Sequence, residues 1–498
     1  MYSSNTISGK LRNIFWPIYR HELGYFISMS SLMFCILLNQ NILRIIKDSV
    51  LISEVSAEIT SFAKVYCVTP LAAIFVVIYA KMSNKFSFYN IYLYLIIFFV
   101  ASFSLFAWLV YPNVELLHMR TEKMQALAIE YPYLKWYIFL LGNWGYVLFY
   151  SLGELWPNIF YILLFWQLAN QITTTEQAKR FYTLFSLFGN SSLMFVAVFI
   201  MYISSENSFI NEYFSHIDSK IILVQASTLL VIISSIASVI LVRYITQNIV
   251  VEEVILHDQT KTNHRKNTKL GLKESFKYIL SSKYLWLLLI CSASFGLTMN
   301  LVESVWKSKI KELYITVNSY AEFHALYIFW TGIGISIMTL IGNNIMRNSS
   351  WFVAAVITPI IIVITGVAFF ALALFNDYSA DLVKQIFFTS PLALAVYIGA
   401  IQNVIAKSTK YSIWDTSREM LYIPLDVELK TKGKAAVDIV SSKIGKSSSG
   451  LIQSFLFTIF PAATYTTITP FMLVIFVITG AIWIYAIKII YSEYQKIL

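Results

Sequence analysis

Residues 438–455 read DIVSSKIGKSSSGLIQSF, and the chain runs on as LFTIF. Two lysines, Lys443 and Lys446, sit with small polar residues at the mouth of an apolar segment. On insertion scales a cation at membrane depth costs about 2.5–3.5 kcal/mol, so such residues mark functional sites. Lys443, Lys446, Ser447 and Gly450 fall on one helical face, the i, i+3, i+4, i+7 pattern. That face predicts two ammonium groups and several hydroxyls turned towards a cavity, which suits a polyanion. The GKS triplet is not a phosphate-binding P-loop. That motif needs a glycine five residues ahead of Gly445, where Val440 stands, and a preceding strand.

Composition makes the setting a membrane. Of 498 residues 58% are hydrophobic and only 13% charged, against about a quarter charged in soluble domains. The net charge of +10 fits lysine-rich cytoplasmic loops rather than nucleic-acid binding. Cys35, Cys67 and Cys291 lie in apolar stretches with no metal or disulfide spacing. The basic N-terminus, with Lys10, Arg12, Arg20 and His21, resembles a signal anchor without a cleavage site and is expected to be retained.

About twelve apolar spans of bilayer-crossing length follow. They lie near 24–44, 60–80, 87–111, 137–171, 181–203, 220–245, 284–305, 322–346, 351–375, 385–407, 436–460 and 466–490. The fourth is long enough to hold a break before Gly145. Basic residues concentrate in alternate loops, above all the 246–283 linker, which carries Lys261, Arg265, Lys266, Lys269, Lys273, Lys277 and Lys283. The positive-inside rule then puts both termini in the cytoplasm. The linker divides the chain into a six-helix bundle at 1–245 and another at 284–498. FGNSS, with Gly189 and Asn190, corresponds to IGKSS, with Gly445 and Lys446, at an offset of 256 residues. NILRIIK from Asn41 corresponds to NLVESVWK from Asn300 at 259. Two matches at nearly one offset predict parallel repeats. That is the plan of major-facilitator transporters, with the substrate near the midplane.

Ionisable residues inside the spans are the candidates for chemistry. Asn41, Arg44 and Asp48 share a face of the first span, with Lys47 one turn from Arg44. They read as a phosphate-binding cluster or as side chains snorkelling to the headgroups. Glu154 lies deep in FYSLGELWPNIFYILLFWQ, three residues before Pro157, which opens the backbone ladder. Asn300, Glu303 and Lys307 recur at i, i+3 and i+7 in a segment too apolar for an exposed surface. Lys407 and Lys410 read as residues of the cytoplasmic edge. No HExxH pair or G-x-S-x-G elbow occurs, so nothing argues for an enzyme, a metal or a cofactor.

From FWPIYRHE at 15–22, through NILRIIKD, GELWPN, FWQLANQIT, EQAKRFY and NLVESVWKSKIKELY, to IQNV, KYSIWD, YIPLD, GKAAVD and GKSSSGLIQS, the chain resembles one family throughout. These are the non-mitochondrial ATP/ADP translocases of obligate intracellular bacteria and plastids, and the rickettsial members in particular. The resemblance implies exchange of host ATP for bacterial ADP by a twelve-span carrier of the bacterial inner membrane. It implies that Lys47, Glu154, Glu303 and Lys446 matter for function. Pro157, Asn158 and the serines of GKSSSG depart from the usual pattern. The alternatives are a family member preferring GTP, CTP or UTP, or a major-facilitator carrier for another organic phosphate. The expected substrate-binding set is Lys47, Arg44, Glu154, Glu303, Lys446, Lys443, Asn190 and Lys307, in a lipid-embedded monomer that binds no nucleic acid.

Overall fold

The computed structural model describes residues 18–173, 175–205, 208–249, 282–374, 380–422, 424–425 and 434–497. The basic N-terminus and residues 250–281 of the linker lie outside the described residues. Every regular element among the described residues is helical. Among the described residues eleven helical runs are long and apolar enough to cross a membrane, from Arg20–Glu54 to Tyr465–Ile497. A further helix, Lys434–Ile459, matches the predicted eleventh span. Its lysines and Asp438 make it less apolar than the rest. In lipid a chain must satisfy its backbone internally, which is why a sequence this apolar resolves into helices.

Five helices, together with the helix Trp144–Trp156 that carries Glu154, position the charged residues. They are α1 (Leu23–Glu54), α2 (Lys283–Leu313), α3 (Val317–Asn348), α4 (Pro391–Thr409) and α5 (Lys434–Ile459). Helix α1 runs well past the predicted end at residue 44, because SVLIS resumes the apolar run after Asp48. Ile45, Ile46, Val50, Leu51 and Ile52 are all buried. The charged turn therefore lies inside the helix and not at its edge. The long fourth span breaks at Asn143, between the helices Lys135–Gly142 and Trp144–Trp156.

The chain forms two compact units. The first comprises Met1–Lys47, Leu71–Val114 and Phe149–Arg265; the second comprises Asp48–Pro70, Glu115–Leu148 and Lys266–Leu498. In the first, polar side chains join helices at depth. Asn39 donates to Ser235 Oγ at 3.0 Å, and Asn41 to Ser192 Oγ at 3.1 Å. Trp156 Nε1 donates to the Ile36 carbonyl at 3.3 Å. Such bonds hold transmembrane helices together where lipid removes the hydrophobic drive between them. In the second unit Trp306 Nε1 donates to the Val396 carbonyl at 2.8 Å. The Glu58 carboxylate accepts from the Tyr465 backbone N–H at 3.2 Å, at the start of the last helix.

The glycines of the two repeat motifs both pack closely against a neighbouring helix. A Cβ on Gly189 would stand 2.8 Å from Met33 Cγ and Leu37 Cδ1 of α1. A Cβ on Gly445 would stand 3.1 Å from the Gly296 Cα and 3.2 Å from the Ala293 carbonyl oxygen of α2. The glycines of the two repeat motifs thus make the same kind of close helix approach.

Candidate functional site

In the first unit, α1 delivers Lys47 to a carboxylate. Lys47 Nζ lies 2.7 Å from Glu154 Oε1, with side-chain exposures of 4% and 27%. The ammonium also sits over the Tyr150 ring, 4.4 Å from its centre. Snorkelling to the headgroups is therefore excluded for Lys47. Its charge is met inside the protein by an ion pair and an aromatic face. The local backbone explains the position of Glu154. Pro157 lacks an N–H, and the helix widens into a π-helix at Pro157–Phe165. Asn158 Nδ2 donates to the Glu154 carbonyl at 3.2 Å, satisfying an acceptor in the widened turn.

Gly153 makes room for the lysine. A Cβ there would come within 2.8 Å of Lys47 Cδ, a mid-stem atom with little freedom to withdraw. Gly153→Ala is expected to displace Lys47 and destabilise the protein by about 1–3 kcal/mol, the usual cost of overpacking. Thermal unfolding of the purified variant checks this, and an unchanged midpoint would contradict the contact.

In the second unit, α2 carries the other pair. Lys307 Nζ lies 2.9 Å from Asp48 Oδ2, and Asp48 is 1% exposed. The same ammonium reaches Glu303 Oε1 at 3.2 Å, one turn away. Lys407 of α4 stands 3.9 Å from that Glu303 oxygen. Lys407 was expected at the cytoplasmic edge. It is a half-buried member of this network, on the helix that also carries wholly buried Gln402 and Asn403. Lys410 keeps a local partner, Asp415, at 2.7 Å.

The remaining expected site residues are placed as follows. Arg44 is half-buried on α1. Asn190 ends the helix Thr175–Asn190 and is half-buried. Among the described residues no hydrogen bond or ion pair joins Asn190 to Lys47 or Glu154. Lys443 and Lys446 lie on α5, with side chains outside the described residues. On the same helix Gly450 is buried against Val65 and Ser61, and Ser449 is buried. Sequence reading brought Lys47 and Glu154 forward without pairing them, and paired Glu303 with Lys307. It missed Asp48 as the partner of Lys307.

What the arrangement offers is a set of lysines inside a helical membrane protein, each neutralised by a carboxylate it could exchange for another anion. A family model described as TLC ATP/ADP transporter matches residues 1–494. The chain belongs to the TLC ATP/ADP transporter family. Family membership makes it a multi-pass membrane carrier and not an enzyme. It is 59% identical over 495 residues to ADP,ATP carrier protein 5 of Rickettsia felis, covering 99% of each chain. It is 40% identical over 495 residues to ADP,ATP carrier protein 1 of Rickettsia bellii, covering 99% of this chain and 97% of that one. Two solved transporters share the fold at low identity. A bacterial homologue of the iron transporter ferroportin aligns with a TM-score of 0.56 at 11% identity, over 96% of this chain and 99% of that one. A D-xylose–proton symporter gives 0.55 at 12%, over 94% and 97%. These likenesses fix the fold of this TLC family member as major-facilitator-like.

Proposed function

We propose that the chain exchanges ATP for ADP across a bacterial inner membrane by alternating access, with both termini in the cytoplasm. The moving parts are two six-helix halves, residues 1–245 and 284–498. The observation that carries this reading is the Lys47–Glu154 pair, in which a buried cation is held by a carboxylate still 27% exposed. A polyphosphate can compete for that cation without leaving it bare, since Glu154 takes the lysine back when the site empties. Lys446, Lys443 and Arg44 add positive charge for the phosphates, and Asn190 is a neutral polar contact. Glu303 and Lys307 form the corresponding acid and base of the second half. An empty carrier whose lysines are locked to its own acids resists rocking, and the result is obligate exchange. The protein works as a lipid-embedded monomer.

The test is uptake of labelled nucleotides by intact cells expressing the chain, with counter-nucleotide inside. ATP uptake driven by internal ADP, and competed by ADP more strongly than by GTP, CTP, UTP or sugar phosphates, supports the reading. Preferential uptake of another nucleotide assigns the same machinery to that base. In the same assay Lys446→Ala is expected to cut uptake at least tenfold with the protein still in the membrane. Normal ATP uptake by that variant would overturn the site assignment.

A further inference from the structure

The ion pairs around Glu303 are unequal. Asp48 meets Lys307 at 2.9 Å and Lys307 meets Glu303 at 3.2 Å. Lys407 lies 3.9 Å from Glu303, beyond hydrogen-bonding distance. Its ammonium hangs over the Tyr327 ring, 5.1 Å from the centre. Among the described residues it makes no hydrogen bond. An ammonium has three donors, and this one has an 85% buried side chain in which to satisfy them. Structural buried lysines are matched closely, as Lys307 is; this one is held loosely.

Exposure orders the network. Side-chain values rise from 1% at Asp48 and 9% at Lys307 to 15% at Lys407 and 22% at Glu303. An anion entering from solvent therefore meets the Glu303–Lys407 end first. Glu303 has a second, closer cation to fall back on, so releasing Lys407 does not strand a carboxylate. Lys307 in turn keeps Asp48. The four charges sum to zero, and the exchange of partners needs no proton transfer.

Resting on the nucleotide-exchange reading, we propose that Lys407 is a further substrate-binding residue that takes the phosphate chain from Glu303. Phosphate oxygens replace the Glu303 carboxylate beside the ammonium, and Glu303 closes onto Lys307. The Tyr327 face beneath holds the ammonium in place during the exchange. A purely structural Lys407 would serve only to steady Glu303, and its loss would show in stability and not in substrate affinity.

The experiment uses the full chain, expressed in cells preloaded with counter-nucleotide. Lys407→Gln is expected to raise the KM for triphosphate at least tenfold at an unchanged membrane level, with a smaller rise for diphosphate. A KM within twofold of the wild type for both would overturn the proposal. Footprinting of the wild-type chain gives a second measurement that needs no variant to fold. Triphosphate should slow acetylation of Lys407 several-fold, whereas the nucleoside should not, and equal rates with and without triphosphate would also overturn it. Wild-type chain that carries no nucleotide at all would sink the exchange reading itself. Normal wild-type exchange with an indifferent Lys407 sinks only this assignment.

Discussion

Lys307→Met is expected to leave little folded carrier in the membrane and to abolish nucleotide uptake. The substitution strands Asp48, whose side chain is 1% exposed and whose carboxylate lies 2.9 Å from the Lys307 ammonium. Breaking a buried pair by removing one partner costs about 3–5 kcal/mol, because a charge remains without its counter-ion in low dielectric. Charge balance predicts the remedy. Asp48, Lys307, Glu303 and Lys407 sum to zero, and the single variant leaves a net negative charge. Asp48→Asn combined with Lys307→Met restores neutrality, with Glu303 still beside Lys407. The double variant should recover most of the thermal midpoint. It should not recover transport, because Lys307 belongs to the proposed substrate-binding set. Thermal unfolding and uptake on both variants check this. A Lys307→Met protein that melts like the wild type would show that the pair contributes nothing.

How far the residues themselves announced this varies with the kind of signal. Span length and apolarity are local properties, so the helices could be read directly from composition. The first helix ran further than its composition suggested. Its polar turn at Arg44–Asp48 looked like an end, yet SVLIS beyond it is buried and continues the helix to Glu54. Glu154 was legible because a carboxylate flanked on both sides by aromatic and aliphatic residues is too costly to face lipid and must turn inwards. Its partner was not legible, since pairing Lys47 with Glu154 depends on how two helices rotate against each other. Helical periodicity gives faces, but not which faces meet. The Glu303–Lys307 contact was legible because i,i+4 geometry lies within one helix. Asp48 and Lys407 were missed for the converse reason. Each meets this network from another helix. Lys407 was also masked by the polar run KSTKYS that follows Ala406. The signal available was Asn403 one turn before Lys407 on α4, both turned inwards next to wholly buried Gln402.

The two networks also explain why a carrier of this kind tolerates lysines at depth. Neither lysine needs lipid headgroups, because each meets a carboxylate inside the protein. Lys47 is enclosed, but its carboxylate is partly open to solvent. Lys307 is enclosed between two carboxylates, the more open of which also faces Lys407. In each network a glutamate, at 27% or 22% exposure, is the most accessible member. An incoming anion therefore contends with a carboxylate for a fixed cation. Under the nucleotide-exchange proposal the lysines are the binding groups and the glutamates close the empty site.

Glu154→Gln tests that division of labour, and the expected outcome is a lower KM together with a lower Vmax. At 2.7 Å and an effective dielectric near 20, the Lys47–Glu154 attraction is about 6 kcal/mol before desolvation. Water reaches Glu154, so the net competition is a fraction of that. A tenfold fall in KM corresponds to about 1.4 kcal/mol, well within what remains. Without the carboxylate, phosphate no longer competes for Lys47 and binds more tightly. Release then leaves a buried cation over the Tyr150 face with an amide where its carboxylate partner stood. Release becomes slow, and Vmax should fall at least tenfold. Lys47→Gln should behave oppositely in affinity, raising KM because the binding group itself is gone. If Glu154 merely propped up Lys47, its amide variant would lose stability and show an unchanged or higher KM. Concentration series of nucleotide uptake for both variants, normalised to protein in the membrane, separate the two accounts.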